Sequence, residues 1–189
     1  MNIDSVVLHR LSQAQSYYDM AGFKNIEVPW FVDKSIIDIT LPPGATPVEI
    51  PGRGYLIGSA EQGFLSLIAE GKLPSGKYQS TSPCFRNDSV DELHRTAFMK
   101  LELIDTRVLE NITTDVQLKS VIQLAELFFE SCVGVEILQT EDGFDIVDSK
   151  NKIELGSYGI RSHPLVGTWI YGTGVAEPRL SAVLKMQKK

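Results

Sequence analysis

Cysteine is nearly absent. Cys84 and Cys132 are the only two among 189 residues; they offer neither a metal-ligand spacing nor a disulfide framework. Long apolar runs are missing too: none approaches the ~20 residues a membrane helix needs. The opening MNIDSVVLHRLSQAQ lacks the basic-then-apolar order of a secretion signal. These absences set the expectation of a cytoplasmic protein that does not enter a membrane. Excess positive charge is lacking as well. The net charge is −6, which argues against a broad nucleic-acid surface, because phosphate neutralisation needs clustered Lys and Arg. The only basic cluster, KMQKK at 185–189, reads as a solvated tail. No internal repeat and no low-complexity segment is present.

What is there resembles an ordinary globular protein, 43% hydrophobic and 22% charged. The length suggests one domain, residues 1–189, able to bury about 70% of its unfolded surface. Residues 6–21 read as a helix, with Gly22 at its C′ position. IEVPWFVD, 26–33, alternates like a strand; Pro29 removes a ladder donor and makes it an edge or interface strand. LPPGATPVEIPGRG, 41–54, holds four Pro and three Gly and reads as loop or irregular strand. In AEQGFLSLIAEG, 60–71, Ala60, Phe64, Leu67 and Ile68 share one helical face. KYQSTSPCFRN and TAFMKLELID read as strands flanking a charged loop. Residues 115–131 form the clearest helix, striped by Leu118, Val121, Ile122, Ala125, Phe128 and Phe129. Strands are expected at 133–140, 143–147, 152–155 and 166–172. A last helix is expected near Ala176, with Pro178 in its first turn. The order is that of an α+β fold, an antiparallel β-sheet flanked by helices.

The stretch FRNDSVDELHRTAFMKLEL, 85–103, places a guanidinium, a loop of donors and an aromatic on adjacent strands. A guanidinium grips a phosphate bidentately, and a Phe can stack on a base. A surface ion-pair hairpin with Phe98 in the core is the plain alternative. Other segments shift the balance. FRNDSVDELHRTAFMKLEL resembles motif 2 of the class II aminoacyl-tRNA synthetases, most closely the lysyl and aspartyl type. YYDMAGFKNIEVPWF, 17–31, resembles motif 1, and GTGVAEPRLSAVL, 172–184, resembles motif 3. IELGSYGIR, 153–161, is similar to the strand preceding motif 3 in the lysyl and aspartyl enzymes, and to the matching strand of ammonia-dependent asparagine synthetase. The four stand in the family's order and span only its catalytic core.

The resemblance implies roles. Arg86 would grip the α-phosphate of ATP and the substrate carboxylate, and stabilise the pentavalent phosphorus. Asp88 takes the place of a Glu that reads the adenine amino group or the substrate. His94 would meet the γ-phosphate, with Arg95 as a substitute, and Phe98 would stack on adenine. Arg179 would cover adenine's other face and reach the γ-phosphate. Glu154 would hold Mg²⁺; Asp145 or Asp148 would supply a second carboxylate, a solvated turn being the competing reading for both. GSAEQ, 58–62, is similar to the Thr-x-Glu loop of seryl-type enzymes. It makes Glu61 a candidate for the α-amino group, against a plain helix-start Glu that the dipole favours. Glu102 and Ser157 are further candidates for the amino acid. Tyr158, Trp169 and Tyr171 could line the pocket, with core packing the competing reading for the latter two; His163 has no assigned partner.

The resemblance thus implies an ATP- and Mg²⁺-dependent ligase that joins an amino acid or other small carboxylate to AMP. No general base is required, since a carboxylate is already a nucleophile at pH 7. The chain has no room for an anticodon-binding domain, so the acceptor need not be tRNA. A minimal tRNA-charging enzyme working with a partner, and a non-catalytic paralogue, are the alternatives. Motif 1 implies a homodimer through residues 8–31.

Overall fold

The computed structural model of the protein describes residues 7–87, 91, 93 and 95–187. Helix α1, Leu8–Met20, buries Leu11, Ala14 and Tyr18 at helical spacing. It stops as read: Gly22 adopts φ +85°, its N–H reaches Asp19 O, and Phe23 N–H reaches Tyr18 O. The Phe23 and Tyr18 rings meet edge-on, completing a Schellman motif. Segment 26–33 departs from the single strand expected. Lys24–Asn25 (β1) and Phe31–Val32 (β2) are short strands of two different sheets. The chain crosses between them at Pro29, which cannot donate to a ladder.

A short helix, α2, Lys34–Thr40, follows unannounced. Its β-branched residues disfavour helix, but Ile36 and Ile37 are buried and Lys34 pairs with Asp38 one turn on. Tertiary burial outweighs propensity here. Within the Pro- and Gly-rich region, β3 (Val48–Ile50) and β4 (Gly54–Leu56) form a hairpin joined to β2. Helix α3, Ala60–Ala69, starts on Ser59, whose hydroxyl accepts from Glu61 N–H at 3.2 Å.

The main sheet uses β5 (Lys77–Phe85), β6 (Ala97–Asp105), β7 (Val135–Gln139), β8 (Phe144–Asp148), β9 (Glu154–His163) and β10 (Gly167–Glu177). Its order is β1-β5-β6-β10-β9-β8-β7, antiparallel except for β1 beside β5. Helix α4, Thr114–Glu130, buries the predicted stripe from Leu118 to Phe129. Strand β10 runs farther than expected, to Glu177, because it stays paired with β6 through a register shift between Thr173 and Val175. Helix α5 therefore begins at Arg179, and Pro178 precedes it as cap instead of sitting inside its first turn.

Strand alternation sorts the residues of the sheet. Leu101 and Leu103 join α1, α4 and α5 in one core. Ile104 and Trp169 face the other side and join α2, α3 and the small sheet in a second core. No helix among the described residues is long and apolar enough to cross a membrane.

Helix α3 lies very close to the crossing segment. A Cβ at Gly63 would fall 2.7 Å from Val28 Cβ and 3.0 Å from Pro29 O. Gly63→Ala is therefore expected to destabilise the protein by about 1–3 kcal/mol, although alanine favours helix. A lowered urea midpoint with unchanged slope would register it.

Candidate active site

The second face of the sheet carries the site. Lys100 and Glu102 share parity on β6, as do Ser157 and Arg161 on β9 and Tyr171 and Thr173 on β10. All six border one cavity of about 310 Å³. Ile37 of α2, Leu41 and Pro42 just after it, and Leu56 of β4 also line the cavity. Residues Gly58–Gln62 close one side, held by Gly58 N–H donating to Gln62 Oε1 at 2.8 Å.

Three carboxylates border this cavity, and each has a cationic partner. Glu61 accepts from Arg161 Nη1 at 2.6 Å and from the Trp169 indole at 2.7 Å. Burial pushes its carboxyl above the usual carboxylate range, against the pull of Arg161 and the indole. Glu102 accepts from Lys100 Nζ at 2.7 Å, from the Ser59 hydroxyl at 2.7 Å and from Ala60 N–H. Burial opposes its ionisation, but the Lys100 charge and these hydrogen bonds outweigh it and hold the carboxyl below the usual range. Glu154 accepts from Arg179 Nη1 at 3.0 Å.

Arg86 differs. Its Nε donates to Gly58 O at 3.1 Å and its guanidinium lies over the Phe98 ring, 5.2 Å from the centroid. Among the described residues it has no carboxylate partner. It also borders a second, smaller cleft with Phe98, Arg95, Leu93, Pro178 and Arg179. One guanidinium thus stands between a cavity sized for a small acid and a cleft flanked by an aromatic and a cation. Asp88 and His94, expected to contact ATP, lie outside the described residues.

The structure separates the remaining candidates. Ser157 is in the cavity wall and hydrogen-bonds Asp145. Burial raises the Asp145 carboxyl, and the neighbouring charge of Glu154 adds to the rise while Ser157 and Arg179 oppose it. Asp148 serves a turn: its oxygens accept from the N–H groups of Lys150, Asn151 and Ile153. Tyr158 lies on the helix-covered face, its hydroxyl donating to Thr173 O at 2.5 Å. Trp169 is buried under Glu61. His163 Nδ1 accepts from Leu165 N–H in the β9–β10 turn. Burial pushes the Cys84 thiol up to about 12, so it stays protonated.

Among the described residues no cluster of three or more His, Cys, Asp or Glu could enclose a metal. The charge of Glu154 nevertheless reaches Asp145 and helps to raise its carboxyl. Two carboxylate groups fit Mg²⁺, which keeps water and substrate phosphates as its other ligands. Lys100 and Arg161 are site residues that motif reading missed. Period-two counting from Glu102 and Ser157 would have found both.

No protein-family model matches the chain, and no curated protein matches it. Solved structures do. A cytoplasmic serine-tRNA ligase from Naegleria fowleri in complex with AMP superposes with TM-score 0.74 at 19% identity, covering 93% of this chain and 52% of that one. Seryl-tRNA synthetase from Pyrococcus horikoshii complexed with ATP gives 0.75 at 18%, covering 93% and 49%. PylSc, a pyrrolysyl-tRNA synthetase from Desulfitobacterium hafniense, gives 0.73 at 15%, covering 95% and 69%. The chain spans about half the length of the seryl enzymes. Its fold is that of a class II aminoacyl-tRNA synthetase catalytic core.

Proposed function

We propose that this chain activates a small carboxylic acid, an amino acid or a relative of one, as its acyl-adenylate. The observation that carries the reading is Arg86, a cation without a carboxylate partner among the described residues, set between the two cavities. In this reading a carboxylate oxygen attacks the α-phosphorus of ATP. A new P–O bond forms, and the bond from that phosphorus to the bridging oxygen of pyrophosphate breaks. Pyrophosphate leaves with the electron pair, and no proton moves.

Attack brings two anions together. Arg86 offsets their repulsion and holds acid and phosphate in line. Phe98 and Arg179 flank the base, and Arg179 sits in the first turn of α5, where the helix dipole also favours anions. Glu154 and Asp145 would hold Mg²⁺, which supplies charge neutralisation on the phosphates. An acceptor, not necessarily tRNA, then takes the acyl group, and AMP leaves. The test is carboxylate-dependent exchange of labelled pyrophosphate into ATP. Exchange above the acid-free rate supports the reading; no exchange with any acid and no ATP binding by calorimetry would sink it.

We also propose a homodimer through residues 8–31. Met20 is 83% exposed and Trp30 52%, with Leu8 and Phe31 also exposed on the same segment. Light scattering should give twice the 21.0 kDa chain mass. Trp30→Asp should return the particle to one chain; a wild type that elutes as one chain refutes the proposal.

A further inference from the structure

Adenylation alone does not say which acid enters, but the charges around the cavity narrow it. An α-amino acid arrives with an ammonium group beside its carboxylate, and a desolvated ammonium needs an anion. Glu61 stands where that anion is wanted. Yet each of its oxygens already accepts a hydrogen bond, one from Arg161 Nη1 at 2.6 Å and the other from the Trp169 indole at 2.7 Å. The carboxylate is buried, and Arg161 is stacked on Tyr171 at 4.0 Å from the ring centroid. A second cation at Glu61 would sit beside the first, with one carboxylate to serve two positive charges.

Among the described residues, the other two carboxylates of the cavity wall already have cationic partners. Glu102 is engaged by Lys100, Ser59 and Ala60, and Glu154 by Arg179. Asp142, whose charge also acts on Arg161, is exposed, and neither it nor Asp145 belongs to the described wall. Among the described residues of the wall, the cation without a carboxylate partner is Arg86, which calls for an anion. In the same cavity lining, Ile37, Leu41, Pro42 and Leu56 offer apolar side chains to the rest of the molecule.

We infer that the acid activated at this site lacks an α-ammonium group: a monoanionic organic acid with an apolar body, its carboxylate on Arg86. This rests on the adenylation proposed above. On this inference Glu61 serves as the counter-ion of Arg161, and the pair forms a neutral floor that the substrate covers without replacing.

The experiment is pyrophosphate exchange with the full chain and matched acids. Leucine, phenylalanine and the other standard amino acids are compared with counterparts in which the amine is removed or replaced by hydroxyl, such as 4-methylpentanoate, 3-phenylpropanoate and their 2-hydroxy forms. The expected result is that the best amine-free acid exceeds the amino acid of the same side chain at least tenfold in kcat/KM. An amino acid that equals or exceeds its amine-free counterpart overturns this inference while leaving adenylation standing. Exchange with none of the acids, in a chain that binds ATP, overturns adenylation of this class of acids and the inference with it.

Discussion

Arg10→Ala is expected to cost about 3 kcal/mol of stability, the lower end of the range for breaking a buried ion pair. Arg10 of α1 donates through Nη1 to Glu177 Oε1 at 2.5 Å and to the Ser181 hydroxyl at 2.6 Å. Ser181 in turn donates to Glu177 Oε2 at 2.6 Å. Glu177 is fully buried, whereas the Arg10 side chain keeps 22% of its exposure. Removing the cation leaves a carboxylate inside the protein whose remaining side-chain partner among the described residues is one hydroxyl. The remaining exposure of Arg10 admits some water, which places the cost at the low end. For a protein of this length it corresponds to a fall in Tm of roughly 6–12 °C. A double variant, Arg10→Met with Glu177→Gln, removes both charges and should recover most of the loss, since a neutral side chain is cheaper to bury than an unpaired ion. If Arg10→Ala unfolds within 2 °C of wild type, the triangle joining α1, β10 and α5 contributes little.

Much of this architecture was legible because it rests on local periodicity. The stripe from Leu118 to Phe129 can be satisfied only by a helix with one buried face, and α4 has it. Gly22 marks the end of α1 because the chain turns there through a positive φ that glycine adopts without strain. Two elements were hidden for physical reasons. KSIIDIT is poor helix sequence, and α2 exists because Ile36 and Ile37 are buried in tertiary contact. Strand β10 reaches Glu177 because its partner β6 is long enough to keep pairing, which is a property of the partner. In the site, Arg86, Phe98, Glu154 and Arg179 could be singled out by resemblance. The pairing of Glu61 with Arg161 could not, since 100 residues separate them in sequence and only the sheet brings them together. That pairing changes the chemistry, because it turns a candidate amine ligand into a neutralised floor.

Arg86→Ala is the second large effect, expected on rate instead of stability. If Arg86 stabilises charge on the transferring phosphoryl group, its loss should lower kcat/KM for pyrophosphate exchange by about 10²–10³, the usual cost of deleting one preorganised donor. The folded state should lose only about 1 kcal/mol, because the hydrogen bond to Gly58 O is the one polar contact the side chain makes among the described residues. Arg86→Lys separates charge from geometry. Lysine restores a cation but not the planar fork that spans a carboxylate and a phosphate together, nor the face that rests on Phe98. It should therefore recover only part of the rate. Full recovery by lysine would mean that Arg86 acts as a point charge. Exchange within threefold of wild type in Arg86→Ala would remove it from the reaction, leaving the Arg86–Phe98 contact as packing at the mouth of the cleft.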